Sequence, residues 1–440
     1  MTAVKRHRTR STAVAFCAAI LGLVAVGFLG VSGVRSLSDS TAGQRADGQS
    51  SQRPTQRLPF TATALVGVVD EEERLTSVAV WVLEPTGVGG SIVGVAATAD
   101  AASGAFDTLS PLAAVFDAGG AEDFLVAAER LTGLSFDVVE VLDQRRFAQI
   151  VAPLGDLPVL LPAPVVDASS GETWEAGENT LSSPAAARVI TATDPGVADW
   201  SFETARAATW SAVADRVGAG IGSVAPVAAD DEVPVPATLD QFAERLFGSP
   251  VEFRALAFEP IDQARVEAQL LERYVGALGP LDVVVVHDRA EMAILFGASA
   301  PGRLGAPLDA PVFRVVSPFS DADLEGLGLN SSDVLKSAID GLLFAQVNVV
   351  SVADLPDLEV PEVTQVLVAD AEVTDAVRTL YAPLFGEIEV VPAKVRIDGI
   401  DVEVTLGYTY LDHLRGDSSA AVAGSGGDDS TDSTDATDDG

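Results

Sequence analysis

The side chains that most often act as nucleophiles, bases or metal ligands are scarce in this chain of 440 residues. It contains one cysteine, three histidines and three lysines, which excludes a disulfide framework or a cysteine-based zinc site within one copy. A serine triad would need His287 or His413 as its base. His287-Asp288 follows a predicted strand, and the two side chains could act together as a general base. Our interpretation is instead a histidine at the end of a strand, followed by a local cap.

The charge of the chain excludes one class of partner. Acidic residues outnumber basic ones by 64 to 27, and the formal net charge is −37. Because phosphate contacts need clustered Lys and Arg, we do not expect nucleic acid as a partner. Apolar residues make up 48% of the chain, too many for a disordered protein, and the length predicts two or three domains.

The two ends of the chain differ from its middle. Residues 13–34 carry no charge and follow a basic stretch, which predicts a cytoplasmic stub at 1–12 and a transmembrane helix at 13–34. A cleaved signal peptide is the alternative. Residues 35–57 predict a flexible tether, and 415–440 predict a disordered acidic tail. These features predict a single-pass protein of the cell membrane, with the bulk of the chain extracytoplasmic.

Apolar runs alternate with helical patterns between the two ends, which predicts a layered α/β fold. The predicted strands are Thr63–Val69, Leu75–Leu83, Ser91–Ala96, Asp137–Leu142, Val159–Val166, Leu281–Val286, Val312–Val316, Val347–Val352, Thr364–Val368 and Val402–Leu406. The predicted helices are Pro111–Ala118, Glu122–Thr132, Arg145–Ala152, Ser201–Val217, Leu239–Leu246, Gln263–Ala277, Ser331–Leu343 and Ala371–Leu380. We predict one domain over 58–310, with a hinge near 219–236, and a smaller α/β domain over 311–414.

Several short motifs follow one another between residues 119 and 159. They are Gly119-Gly120, Leu131-Thr132-Gly133, Phe136-Asp137, Phe147 and Leu154-Gly155. This order resembles the middle of a LytR–CpsA–Psr domain, and Leu181–Val217 resembles the next element of that family. Pro311–Leu414 is similar to the LytR C-terminal domain that is often appended to such proteins, most specifically over Gly399–Leu411.

The resemblance implies a layered αβα domain in a membrane-anchored protein of the bacterial envelope. Family members are phosphotransferases that move glycopolymers from polyprenyl-pyrophosphate carriers to peptidoglycan, with Mg²⁺ and a set of arginines. Arginine suits this chemistry because its planar guanidinium donates two parallel hydrogen bonds to phosphate oxygens.

The positions that carry this chemistry in the family are changed here. The segment Thr61–Leu65 has no acid where the first metal-binding Asp is expected. Val93–Asp100 and Thr191–Thr193 lack the expected arginines, and Phe202 and Ala205 stand where two more belong. We therefore predict a degenerate domain, a pseudoenzyme with no assigned catalytic, cofactor-binding or metal-binding residue and no cofactor.

Three functions follow from these observations. The first is a non-catalytic envelope protein that binds or organises glycopolymer attachment, with a cell-wall glycopolymer, its polyprenyl-linked precursor or envelope proteins as partners. The second is an active phosphotransferase that uses Mg²⁺ and relocated residues. The relocated candidates are Arg188, Arg206, Asp100 and Asp194. The third is an attenuator that passes an envelope signal through a partner.

Overall fold

The computed structural model describes residues 55–101, 110–222, 224–227, 233–260, 284–301 and 311–415. Across these ranges the chain is a mixed α/β protein, which confirms the predicted class. The predicted transmembrane helix 13–34 and helix Gln263–Ala277 lie outside the described residues, as does the predicted tail from residue 416. Among the described helices, none has the length and apolar character of a membrane span.

A five-stranded mixed sheet forms the centre of the N-terminal unit. Its strands are β2 (Thr63–Val69), β3 (Leu75–Leu83), β4 (Gly90–Val95), β5 (Val138–Leu142) and β10 (Val251–Ala255), and they lie in the order β10-β4-β3-β2-β5. Strands β2, β3 and β4 are antiparallel neighbours, whereas β5 and β10 join the two edges in parallel. Every residue of β2 and β3 is buried, as expected for continuous apolar runs covered on both faces.

Helices cover both faces of this sheet, so the unit has the predicted αβα layers. They are α1 (Leu112–Thr132), α2 (Gln144–Val151), α3 (Ser183–Thr191), α4 (Glu203–Val217), α5 (Leu239–Leu246) and α6 (Arg289–Ser299). Helices α2 to α5 share one core with the sheet, and α1 and α6 share the other. In the first core Trp81 and Trp210 meet edge to face, with ring centroids 6.0 Å apart.

One predicted element of this unit is confirmed in detail and another needs correction. The two helices predicted at Pro111–Ala118 and Glu122–Thr132 meet within α1 at Gly120, whose φ of 68° and ψ of −156° are not helical and separate them. The strand predicted at Val159–Val166 is two strands, Leu157–Leu161 and Val165–Val166. Proline has no backbone N–H to donate to a ladder, and the connection between these two strands contains two prolines.

The C-terminal unit has a second five-stranded sheet. Its strands are β13 (Val312–Ser317), β14 (Asn348–Asp354), β15 (Thr364–Val368), β16 (Ile388–Pro392) and β18 (Val402–Thr405), and they lie in the order β14-β13-β18-β15-β16. Strand β18 runs antiparallel to β15, and the other neighbours are parallel. Helices α7 (Asp321–Leu324), α8 (Ser331–Phe344), α9 (Thr374–Phe385) and α10 (408–415) complete the unit.

Helix α6 links the two units through their cores. Its residues Met292 and Phe296 are buried with the N-terminal sheet, whereas Ala290 belongs to the C-terminal core. Gly297 lies against β14, where a Cβ atom would come within 2.8 Å of a Val352 side-chain carbon. The predicted domain boundary at residue 310 therefore falls after a helix that both units use.

Short strand pairs complete the fold. They are β1 (Thr55–Gln56) with β17 (Arg396–Ile397), β6 (Leu157–Leu161) with β9 (Gly177–Leu181), β7 (Val165–Val166) with β8 (Thr173–Trp174), and β11 (Phe258–Pro260) with β12 (Val285–His287). The pairing of β1 attaches the last part of the predicted tether to the C-terminal unit.

The described part of the predicted hinge is a loop that is bonded to the N-terminal unit. The Ile221 N–H donates to the Phe247 carbonyl at 2.7 Å, and the Val227 N–H donates to the Thr86 carbonyl at 2.9 Å. Strand β4, which reaches the site described below, starts beside the same region at Gly90. The φ angle of Gly90 is 140°, and a Cβ atom on this residue would lie 2.0 Å from the Val82 carbonyl oxygen.

We expect Gly90→Ala to lower the free energy of unfolding of the N-terminal unit by more than about 3 kcal/mol, because both its backbone angle and its contact with β3 exclude a side chain. Gly171→Ala is the matched control: its φ is 72°, but no atom lies within 4 Å of the added carbon, so a loss of about 1 kcal/mol is expected. Urea unfolding measures both, and equal losses would contradict this account.

Candidate functional site

A buried ion cluster lies at the start of helix α4. The Arg206 side chain is 1% exposed and bonds two carboxylates. Its Nη2 donates to Asp199 Oδ1 at 2.5 Å and its Nη1 donates to Asp199 Oδ2 at 2.8 Å. Nη1 also donates to Glu203 Oε1 at 2.9 Å. A single guanidinium is therefore shared between two acids.

The local sequence places these three side chains on one side of the chain. A 3₁₀ turn, Asp199–Phe202, runs directly into α4, and Glu203 follows Asp199 by four residues and precedes Arg206 by three. Residues three and four apart are neighbours on a helix surface. The Phe202 ring adds a cation–π contact, with its centroid 5.8 Å from Arg206 Cζ.

Burial and charge shift the pKa values of this cluster. Burial raises the pKa of Glu203 to about 7, because the charge of Asp199 adds to desolvation and Arg206 offsets them only in part. Burial alone would lower the pKa of Arg206, but attraction to Asp199 and Glu203 outweighs it and raises that pKa. Arg206 therefore stays a cation, while Glu203 exchanges its proton near neutral pH.

A second arginine extends the cluster toward solvent. Arg74, at the hairpin between β2 and β3, donates from Nε to Asp70 Oδ2 at 2.8 Å and from Nη2 to Thr193 Oγ1 at 3.3 Å. Burial opposes its charge, but Asp70, Glu72 and Asp199 together raise the pKa of Arg74. The hairpin thus contains Asp70, a buried acid.

A small pocket adjoins the cluster. It has a volume of about 110 Å³, and Glu203, Arg206, Trp210 and Phe258 are among the residues that line it. The Nε–H of Arg206 is buried and has no hydrogen-bond partner among the described residues. Sites for drug-sized ligands measure roughly 300–1,000 Å³, so this pocket suits a small chemical group and not a lipid chain.

The pair His287-Asp288 is structural, as we interpreted it from the sequence. His287 is 3% exposed; its Nδ1 lies 2.9 Å from the Ala257 carbonyl oxygen, and its Nε2 accepts the Ala96 N–H at 3.4 Å. These contacts fit the neutral ring, and burial lowers the pKa of His287. Asp288 caps α6 by accepting the Ala290 and Glu291 N–H groups, and it also pairs with Lys336.

The four relocated candidates have different partners. Arg206 lies in the ion cluster, whereas Arg188 donates from Nε to Glu172 Oε2 at 2.9 Å. Asp100 is 1% exposed, and its Oδ1 accepts the Ser110 N–H at 2.7 Å. Asp194 accepts the Gly196 N–H at 2.8 Å in a turn. Each of the four thus has a bond that a structural role explains.

The acids of the cluster do not fit a Mg²⁺ site. Mg²⁺ requires oxygen donors in near-octahedral geometry, but Asp199 uses both oxygens on Arg206, and Glu203 uses Oε1 on the same cation. A metal ion there would meet a guanidinium at contact distance. Across the described ranges, no group of three or more His, Cys, Asp and Glu side chains is placed to hold a metal.

Comparisons with known proteins give a similarity to solved structures only. No protein-family model matches the sequence, and no curated protein matches it. The crystal structure of TagV from B. subtilis aligns at 11% identity and a TM-score of 0.36, covering 53% of this chain and 94% of its own. The crystal structure of TagU from B. subtilis aligns at 12% identity and a TM-score of 0.33, covering 54% of this chain and 94% of its own.

A third aligned structure is the LytR-Csp2A-Psr enzyme from Actinomyces oris, at 20% identity and a TM-score of 0.32, covering 50% of this chain and 96% of its own. Each of these TM-scores is below 0.5, so the comparison alone does not assign the chain to a family.

The pKa of Glu203 predicts a pH dependence of stability. Since folding raises this pKa from 4.5 to about 7, the protonated carboxyl stabilises the fold, and that contribution is lost as the pH rises through the folded pKa. Relative to Glu203→Gln, we expect the wild-type chain to lose about 2 kcal/mol of unfolding free energy between about pH 5 and about pH 8. Urea unfolding of both proteins across this pH range measures the difference in their unfolding free energies. A difference that does not vary with pH would contradict the raised pKa of Glu203.

Proposed function

We propose that this chain is a membrane-anchored, extracytoplasmic protein of the bacterial cell envelope. In this proposal it is a catalytically lapsed relative of the LytR–CpsA–Psr transferases that binds or organises the attachment of glycopolymers to the wall. The observation that carries the proposal is the neutralised guanidinium: Arg206 is held by Asp199 and Glu203 and is 1% exposed.

A pyrophosphate needs free positive charge, and this cluster offers little. Its six ionisable groups are four carboxylates and two guanidiniums, in Asp70, Glu72, Arg74, Asp199, Glu203 and Arg206. An anion next to Arg206 would face two carboxylates, and like charges 4 Å apart repel by about 4 kcal/mol at an effective dielectric constant of about 20. The arrangement supports a protein that does not hold a substrate pyrophosphate here.

Packing also disfavours a polyprenyl chain between the sheet and α4. Trp81, Trp210 and Phe147 fill this layer, with the Phe147 and Trp210 centroids 5.3 Å apart. The neighbouring pocket of about 110 Å³ is below the size of ordinary ligand sites. A role in binding the polymer is therefore better supported than a role in binding its lipid carrier.

The placement in the envelope is supported by the sequence. An uncharged run of 22 residues at 13–34 follows a basic stretch, which favours an anchor with a cytoplasmic N-terminus. Pro311–Leu414, which we propose to be a LytR C-terminal-like domain, forms a unit with its own five-stranded sheet.

The proposal is tested with the full chain in detergent micelles. We expect it to sediment with purified peptidoglycan that carries its glycopolymer, and to release no polyprenyl phosphate from a polyprenyl-pyrophosphate-linked substrate in the presence of Mg²⁺. The double variant Arg188→Ala/Arg206→Ala serves as the control for turnover and should match the wild type in releasing none.

Two results would count against the proposal. Turnover by the wild-type chain that the double variant lacks would establish the active alternative, with relocated arginines. Failure of the full chain to sediment with any wall fraction would remove the binding role.

A further inference from the structure

One edge of the C-terminal sheet is also the place where the chain arrives from the predicted tether. Strands β13, β14 and β18 are parallel and begin at this edge, where the N–H of Asp401 donates to the first residue of β13 at 2.9 Å. Strand β1 lies here too, because the Asp398 N–H donates to the Gln56 carbonyl at 2.8 Å. Helix α8 ends here as well, three residues before β14. We call residues 55–57 and 393–401, together with the end of α8, the tether edge.

Two apolar side chains at the tether edge face solvent. Phe344, the last residue of α8, is 89% exposed, which is the largest exposed fraction among the large apolar side chains of the described residues. Val395, in the turn between β16 and β17, is 46% exposed. Peripheral segments bind a bilayer through apolar side chains that enter its headgroup layer, and these two side chains are placed to do so.

Cations flank Val395 and the end of β1. Lys394 and Arg396 stand on either side of Val395, and Arg57 directly follows β1. Within the described ranges none of these three cations forms an ion pair, in contrast to Arg314, which pairs with a glutamate of the same sheet. No described carboxylate therefore neutralises them at contact distance, and they can attract an external anion.

The tether edge has fewer acids than cations. Residues 55–57 and 393–401 contain three cations and two acids, Asp398 and Asp401, in a chain whose formal net charge is −37. Asp401 and Asp370, the next acid along the edge, each accept a backbone N–H, at 3.0 and 2.9 Å. An anionic surface is repelled by the chain as a whole and attracted by the three cations, so the charge distribution turns the tether edge toward it.

We propose that the tether edge binds the anionic phospholipid surface of the membrane that anchors the chain. Phe344 and Val395 enter the headgroup layer, and Arg57, Lys394 and Arg396 contact lipid phosphates. Each basic side chain near such a surface strengthens binding about fivefold. The C-terminal unit is thereby a second membrane contact, in addition to the predicted span.

This inference rests on the anchor of the proposed function, because the predicted tether joins the span at 13–34 to β1. The connection comprises residues 35–54. A flexible chain of this length has a root-mean-square end-to-end distance of about 25 Å. The tether edge therefore stays close to the bilayer, and two apolar side chains and three cations suffice for a contact that would be weak between separate partners.

Spin labels on the full chain in lipid nanodiscs test the contact. Cys17→Ala removes the native cysteine, and the label is attached at Val395→Cys or at Leu358→Cys. Leu358 is the matched control, since it is 45% exposed but follows the end of β14, at the opposite edge of the sheet. With phosphatidylcholine and phosphatidylglycerol at about 7:3, we expect a water-soluble nickel complex to collide with the Val395 label at least about threefold less often than with the Leu358 label.

Removing the cations tests the role of charge, with the label at Phe344→Cys. We expect Lys394→Gln/Arg396→Gln to abolish the shielding of this label from the nickel complex. Arg145→Gln/Arg254→Gln is the matched control, because it removes two exposed cations from the N-terminal unit, and it should leave the shielding unchanged. Shielding that survives the loss of Lys394 and Arg396 would overturn the proposal.

The nanodiscs also separate this inference from the proposed function. A chain that enters nanodiscs but shows equal collision rates at Val395 and Leu358 would overturn the membrane contact of the C-terminal unit and leave the anchored protein intact. A chain that does not enter nanodiscs would remove the anchor, and with it both proposals.

Discussion

The burial of one guanidinium between two carboxylates is the interaction on which the site depends. Removing a charge from water costs several kcal/mol, and only close, well-oriented partners offset that cost. Arg206 meets this requirement through Asp199 and Glu203 at 2.5 and 2.9 Å. Because its Nη groups are used in this way, Arg206 stabilises the junction between the 3₁₀ turn and α4 and is not available to an anionic substrate.

The rest of the N-terminal unit fits this interpretation. Its sheet is covered on both faces, and the layer beside α4 is filled by Trp81, Trp210 and Phe147. The space that remains next to the cluster is small and only partly polar. The N-terminal unit therefore has the αβα layers that the sequence predicted, with an ion pair and aromatic packing in the layer beside α4.

Much of the fold could be predicted from the sequence, because long apolar runs determine it. Thr63–Val69, Leu75–Leu83 and Thr364–Val368 were predicted with the bounds that the structure has. Strand Val251–Ala255, which is partly exposed at a sheet edge, gave no such pattern. The role of Glu203 was also missed, because its spacing to Asp199 and Arg206 indicates a cluster only once the turn and helix are known to be continuous.

Titration calorimetry with inorganic phosphate tests the central claim, the neutralisation of Arg206, most directly. The wild-type chain is compared with Asp199→Asn/Glu203→Gln, which removes both negative charges and keeps the shapes of the side chains. The account predicts that the double variant binds at least about tenfold more tightly, since about 1.4 kcal/mol of repulsion already gives that factor. Equal binding by the two proteins, or binding by neither, would contradict it.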